Sequence, residues 1–151
     1  MSDRAERRFA LAARAYLVYG IVYWLGGLYL LWHGVGVMGS AGGRGGGSLV
    51  FWALVGLAPL LVIPYLLHAR RRPFERWILS RRDFARVVAL FLAFRAYKVA
   101  QVAASPHGAS VPAPWGGSVS FRVGAVIFLM VTLGALVFAA RAAWAAEETS
   151  A

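Results

Sequence analysis

The sequence predicts an all-α, polytopic membrane protein built as a four-transmembrane-helix bundle, and three observations lead to this fold class. Hydrophobic residues make up 60% of the 151 residues, and the mean hydropathy of +0.65 is too high for a soluble domain of this length. These apolar residues are concentrated in four segments. The arginines are distributed unevenly among the segments that connect them.

Each apolar segment is long enough to cross a hydrocarbon core of about 30 Å. We predict helices at about residues 15–33, 49–68, 81–104 and 119–143. Together they form one domain that includes the whole chain. The first segment follows a basic stretch, as a signal peptide would, and Gly39 to Ala41 could be a cleavage site. We expect this segment to be retained as a helix.

The distribution of basic residues predicts the orientation of the bundle. Most of the 16 basic residues lie before the first helix, between the second and third helices, or after the fourth. If the helices alternate in direction, only Arg44 and Arg122 lie in segments on the other side. An excess of arginine marks the cytoplasmic side. Both termini and the segment between the second and third helices are therefore predicted to lie on the cytoplasmic side of a bacterial inner membrane. Topology therefore explains the net charge of +10, and we expect no nucleic-acid partner.

The segment between the second and third helices, RRRPFERWILSRRDF, predicts a short amphipathic helix. Pro73 suits its first turn, and Phe74 and Trp77 share one face by their i, i+3 spacing. Such a helix would lie on the inner leaflet, where arginines bind anionic headgroups. An ordinary topogenic loop is the alternative. The predicted headgroup-binding residues are Arg70, Arg71, Arg72, Arg76, Arg81, Arg82 and Trp77.

Short patterns also predict where helices begin, bend and approach one another. Ser80 and Asp83 form a capping-box pattern that starts the third helix near Arg81. The second helix contains two prolines, each of which removes a backbone hydrogen bond and should bend the helix. Small residues allow close helix packing. They recur in the first and fourth helices at Gly20, Gly26, Gly27, Ala135, Ala139 and Ala143.

Two cations lie inside the third apolar segment, LFLAFRAYKVAQVA. Arg95 is predicted near the middle of the membrane, where an arginine costs at least about 2.5–3.5 kcal/mol. The six acidic residues all lie in predicted cytoplasmic segments. The neutralising group must therefore come from elsewhere, or neutral acceptors must solvate the cations. The predicted anion- or partner-binding residues are Arg95, Lys98, Gln101 and Tyr23.

Three interpretations of these cations remain open. They can pair with an acidic group of a partner subunit or with a lipid phosphate, or they can line the path of an anionic substrate. They can also be purely structural. In that case Lys98 reaches outward and the carbonyls of Val55 and Leu60, freed by Pro59 and Pro64, accept hydrogen bonds. A titrating role for Lys98, the only lysine, is a further alternative.

Other chemistry has little support in the sequence. The absence of cysteine excludes disulfides and thiolate metal sites. Haem bound between helices needs two facing ligands, and only His33 and His107 share a predicted side. No nucleophile, base and orienting group recur at a recognisable spacing. We therefore expect no cofactor, no metal and no enzymatic activity.

These observations predict a small, non-enzymatic integral membrane protein that serves as an accessory or assembly subunit of a larger membrane complex. Cations of the third helix would engage an anionic partner or lipid. The alternative function is an oligomeric transporter or channel for an anionic substrate. The predicted partners are anionic lipids of the inner leaflet, together with other membrane subunits or further copies of this chain.

Overall fold

The computed structural model of the protein describes residues 3–34, 46–68, 80–104 and 110–144. The four predicted helices are present, and each is long and apolar enough to cross a membrane. The elements in chain order are α1 (Asp3–Trp32), α2 (Gly46–His68), α3 (Arg81–Ala104), β1 (Ser110–Pro112), β2 (Ser118–Ser120) and α4 (Phe121–Trp144). The amphipathic helix predicted between α2 and α3 lies outside the described residues.

Helix α1 is longer than its apolar segment predicts, because it begins at Asp3 rather than near residue 15. Its 30 residues span about 45 Å. Asp3 and Glu6 occupy the first turn, where carboxylates interact favourably with the helix dipole. Phe9 and Ala12 are buried among the other helices, so packing extends α1 beyond the predicted boundary.

Successive helices run in opposite directions and surround a common core. Helix α1 packs against α2 and α4, and α3 packs mainly against α4, whereas α2 and α3 meet in few places. We call the end where α1 and α3 begin the basic end, and the end where α4 begins the hairpin end. The core fills the half of the bundle nearer the basic end, where Tyr16, Leu67 and Leu92 are buried.

Small residues account for the close packing of α1, α3 and α4. Ala135, Ala139 and Ala143 of α4 are all buried, as their four-residue spacing predicts. The three glycines of α1 do not share one role. A side chain at Gly20 would meet Leu60 and one at Gly27 would meet Trp52, whereas nothing lies within 4 Å of the Cβ position at Gly26.

The predicted capping box starts α3 at Arg81. The Ser80 hydroxyl accepts a hydrogen bond from the Asp83 backbone N–H at 3.1 Å and donates to the Asp83 carboxylate at 2.6 Å. These contacts satisfy a backbone donor that the first turn of a helix leaves free. Local sequence alone therefore determines this boundary.

A small β-hairpin lies between α3 and α4, in a segment for which the sequence analysis predicts no helix or strand. Strands β1 and β2 pair antiparallel, with Val111 opposite Val119. The turn between them places Gly116 and Gly117 at φ values of 95° and 80°, a region that favours glycine. The Tyr29 hydroxyl of α1 donates a hydrogen bond to the Pro112 carbonyl. This contact ties the hairpin to the end of the bundle.

Candidate functional site: a half-buried arginine beneath an apolar pocket

Arg95 lies well inside α3, about 13 to 14 Å from the hairpin end of that helix by its rise per residue. Its side chain is half-buried, and the guanidinium lies over the Tyr23 ring at 4.4 Å from the centroid. The structure thus places Tyr23, one of the predicted site residues, directly beside Arg95. The face of an aromatic ring attracts a cation, and the attraction is stronger when the cation is partly removed from water, so Tyr23 stabilises Arg95 at this position.

An aromatic cluster holds Tyr23 in place beneath Arg95. The Tyr23 ring stacks on Tyr19 at 6.0 Å and on Phe128 at 5.7 Å, and it meets Trp52 edge-on at 4.9 Å. The two tyrosines lie on one face of α1 because they are four residues apart. Rings from α1, α2 and α4 thus fix the orientation of the ring on which the guanidinium rests.

An apolar pocket of about 330 Å³ lies on the hairpin side of this cluster. Its walls come from α1, α3, α4 and the hairpin, with Tyr23 and Phe128 at the end nearer the core and Pro112 and Trp115 at the opposite end. Among the described residues that line the pocket, Arg95 is the only charged one. Apolar walls with few polar groups are typical of small-molecule sites, and this volume is at the lower end of their usual range of about 300–1,000 Å³.

The predicted site residues of α3 divide between two faces of the helix. Arg95 lines the pocket, whereas Lys98 is half-buried outside the pocket lining, with its Nζ 5.8 Å from the centroid of the exposed Phe94 ring. Gln101 is exposed and donates a hydrogen bond to the Tyr97 hydroxyl at 2.9 Å. Residues three apart on a helix are rotated by about 60° from each other. Arg95 and Lys98 can therefore have different surroundings although they are only three residues apart.

Neither Arg95 nor Lys98 has a counter-charge within the parts of the chain that the structure describes. Ion pairs of the described residues include Arg81 with Glu6 and Arg86 with Asp83, both at the basic end. The acceptors predicted on α2 do not fill this role, since no described side chain donates to the carbonyl of Val55 or Leu60. The α2 carbonyl that accepts a side-chain hydrogen bond near this level is that of Ala53, from Trp24 Nε1 at 3.0 Å. The reason is positional, because α2 packs on α1 rather than on α3.

Arg81 has a different environment from the one predicted for a headgroup-binding residue. Its side chain is only 5% exposed, and its guanidinium binds Glu6 at 3.1 Å and lies over the Phe9 ring at 4.2 Å. Arg81 Nε also donates to the Leu67 carbonyl at 2.8 Å. Arg82 is partly buried and engaged in a further interaction. The other predicted headgroup residues, Arg70, Arg71, Arg72, Arg76 and Trp77, lie outside the described residues.

The histidines that the structure describes are far apart. His33 contacts the Tyr29 carbonyl through Nδ1 at 2.9 Å, at the hairpin end, whereas His68 ends α2 at the basic end. Within the described segments, no group of three or more histidine, aspartate or glutamate side chains could hold a metal ion. His107 lies outside those segments.

Two parts of the site were not predicted from the sequence. Phe128 and Trp52 belong to α4 and α2, and no motif relates them to Tyr23. The hairpin contains proline at the end of a strand, which is unusual within a sheet.

Comparison with known proteins found no matching family model, no matching curated protein and no matching solved structure.

Proposed function

We propose that the protein is a non-enzymatic accessory or assembly subunit of a larger membrane complex, and that α3 engages an anionic group of a partner subunit. The observation that carries this proposal is the environment of Lys98. It is a cation inside a membrane-length helix, and no carboxylate pairs with it among the described residues. We further propose that the basic end is cytoplasmic in a bacterial inner membrane, as the positive-inside rule predicts.

The outer face of α3 has the composition of a helix-packing surface. Phe94 is 59% exposed and Tyr97 is 60% exposed, and they flank Lys98 and the hydrogen-bonded Gln101. A lysine facing hydrocarbon costs about 2.5–3.5 kcal/mol unless it reaches the interface or pairs with an anion. A second transmembrane helix carrying a carboxylate would neutralise Lys98 and cover the two rings. Gln101 and Tyr97 would supply further hydrogen bonds across such an interface.

The alternative proposal, transport of an anion, has one supporting observation. The pocket extends from the hairpin to Arg95, about half the length of α3. Toward the basic end, however, Tyr19, Leu92 and Ala139 belong to a closely packed core, so a path would have to run between copies of the chain. Anion flux in reconstituted liposomes that is abolished by Arg95→Gln would favour transport over the accessory role.

Lipids of the inner leaflet are the second proposed partner. Arginines dominate the sequence that connects α2 to α3, and each basic residue near an anionic surface contributes about 1 kcal/mol of attraction. We propose that Arg70, Arg71, Arg72, Arg76, Arg82 and Trp77 contact headgroups. Arg81 is excluded from this set because its side chain is buried.

Replacement of Lys98 by glutamine is expected to reduce the amount of partner that co-purifies from mild detergent by about tenfold or more. The reason is that the variant leaves the partner's carboxylate without a counter-charge in an apolar interface. The measurement is quantitative mass spectrometry of proteins that co-purify with the wild type and with each variant.

Arg122→Gln is the matched control, because it removes one exposed cation near the hairpin end of α4. It should leave co-purification unchanged. An equal effect of the two variants, or a wild-type protein that is strictly monomeric and carries no bound partner, would rule out the proposal.

A further inference from the structure

We propose that the pocket beneath the hairpin binds a single-chain hydrophobic carboxylate, with the carboxylate at Arg95 and the chain along the apolar walls. The ligand enters from the bilayer between α1 and α4. This ligand site is distinct from the partner surface around Lys98, and neither site requires the other.

The charge at the inner end of the pocket determines the class of ligand. Arg95 contributes a positive charge, and its planar guanidinium can bind both oxygens of a carboxylate. Tyr23 lies against the guanidinium and also lines the pocket, and its hydroxyl group can donate to a remaining lone pair of the anion. A neutral apolar molecule would leave the guanidinium without a counter-charge, so an anionic head is required.

The size and lining of the pocket determine the rest of the ligand. A volume of about 330 Å³ suits one acyl chain and is too small for a phospholipid with two chains. The wall from Arg95 toward the hairpin consists of apolar side chains, among them Val99, Val102 and Val119. Trp115 and Pro112 line the pocket at its far end, and the hydrogen bond from Tyr29 to Pro112 fixes the hairpin to α1 there.

The route of entry is indicated by two glycines. Gly26 of α1 and Gly124 of α4 both line the pocket and are exposed, and nothing lies within 4 Å of the Cβ position at either residue. At Gly27, by contrast, the Trp52 ring occupies the space that a Cβ atom would need. The absence of a side chain at Gly26 and Gly124 is therefore not needed for helix packing, and it keeps the pocket wall open toward lipid.

The test measures equilibrium binding of radiolabelled dodecanoate to the purified full-length protein in nanodiscs. We expect saturable binding of one molecule per chain. Arg95→Gln should weaken binding by about tenfold to a hundredfold, as expected for loss of a hydrogen-bonded counter-charge. Methyl dodecanoate, which has the same chain without the charge, should not compete.

A second variant keeps the test decisive if Arg95→Gln fails to fold. No protein atom lies within 4 Å of the Cβ position at Gly124, so a leucine can be accommodated there. Gly124→Leu should abolish binding because the leucine side chain fills the opening of the pocket. Gly134→Leu is the matched control, since Gly134 lies on the same helix, has equally open surroundings and does not line the pocket. It should bind as the wild type does.

Three results would overturn the inference: no saturable binding by the wild type, competition by the methyl ester, or wild-type affinity in Gly124→Leu. Lys98→Gln separates this inference from the proposed function. That variant should bind dodecanoate normally while losing its protein partner.

Discussion

Replacing Arg81 with glutamine is expected to lower the free energy of unfolding by about 3–5 kcal/mol, the usual cost of removing one partner from a buried ion pair. The guanidinium connects three helices. It binds Glu6 of α1, donates to the carbonyls of Leu67 and His68 at the end of α2, and begins α3. The last carbonyls of a helix have no partner within that helix, so the variant also leaves polar groups of α2 unsatisfied.

The effect of Arg81→Gln can be measured by unfolding in mixed micelles with increasing denaturing detergent. Arg86→Gln is the control, because it removes an arginine from an exposed i, i+3 pair with Asp83, and such pairs contribute little. A double-mutant cycle with Glu6→Gln isolates the coupling between the two side chains. Equal and small losses for Arg81→Gln and Arg86→Gln would show that Arg81 does not hold the basic end together.

Gly27→Ala is expected to destabilise the bundle by about 1–3 kcal/mol, the usual cost of overpacking. The new methyl group would lie 2.4 Å from the Trp52 ring, and that ring packs against Tyr23. The ring must therefore move, and the displacement should reach the aromatic cluster on which Arg95 rests. Thermal unfolding in detergent would measure the loss.

The neighbouring glycine provides the control for this prediction. Gly26→Ala meets no atom within 4 Å and should be neutral or stabilising by up to about 1 kcal/mol, because alanine favours helix more than glycine does. If the two alanine variants have the same stability, then close contact between α1 and α2 at Gly27 does not contribute to folding.

The sequence was sufficient to predict the four helices, because a run of about 20 apolar residues has few structures available to it in lipid. It also predicted the start of α3, since the cap at Ser80 depends only on neighbouring residues. The early start of α1 was not predicted. That part of α1 is stabilised by contacts of Phe9 and Glu6 with other helices. Contacts between residues far apart in the sequence cannot be predicted from the hydropathy of one segment.

The burial of Arg81 was likewise not predicted from the sequence. Seven arginines occur from Arg70 to Arg86, and nothing in their spacing distinguishes one from another. One of them is nevertheless buried against Glu6, a residue 75 positions away. Pairing across that distance depends on how α1, α2 and α3 pack together, so it becomes visible only once the helices are assembled.

The site on α3 was predicted in part. Placing Arg95 near Tyr23 required only the depth of each residue in its helix, which follows from the rise per residue. Depth does not specify rotation, so the sequence could not show that Arg95 lines a pocket while Lys98 does not. The pocket itself depends on the hairpin, whose pairing of Val111 with Val119 has no strong local signal.

The central proposal, that a partner subunit covers the outer face of α3, is tested most directly by site-specific photocross-linking in native membranes. p-Benzoylphenylalanine would replace Tyr97 and, as a control, Phe51 of α2, which is similarly exposed at 66%. We predict a discrete adduct with another polypeptide from position 97, absent from position 51 and lost when Lys98→Gln is introduced. Adducts with lipid alone from position 97, or the same adducts from both positions, would contradict it.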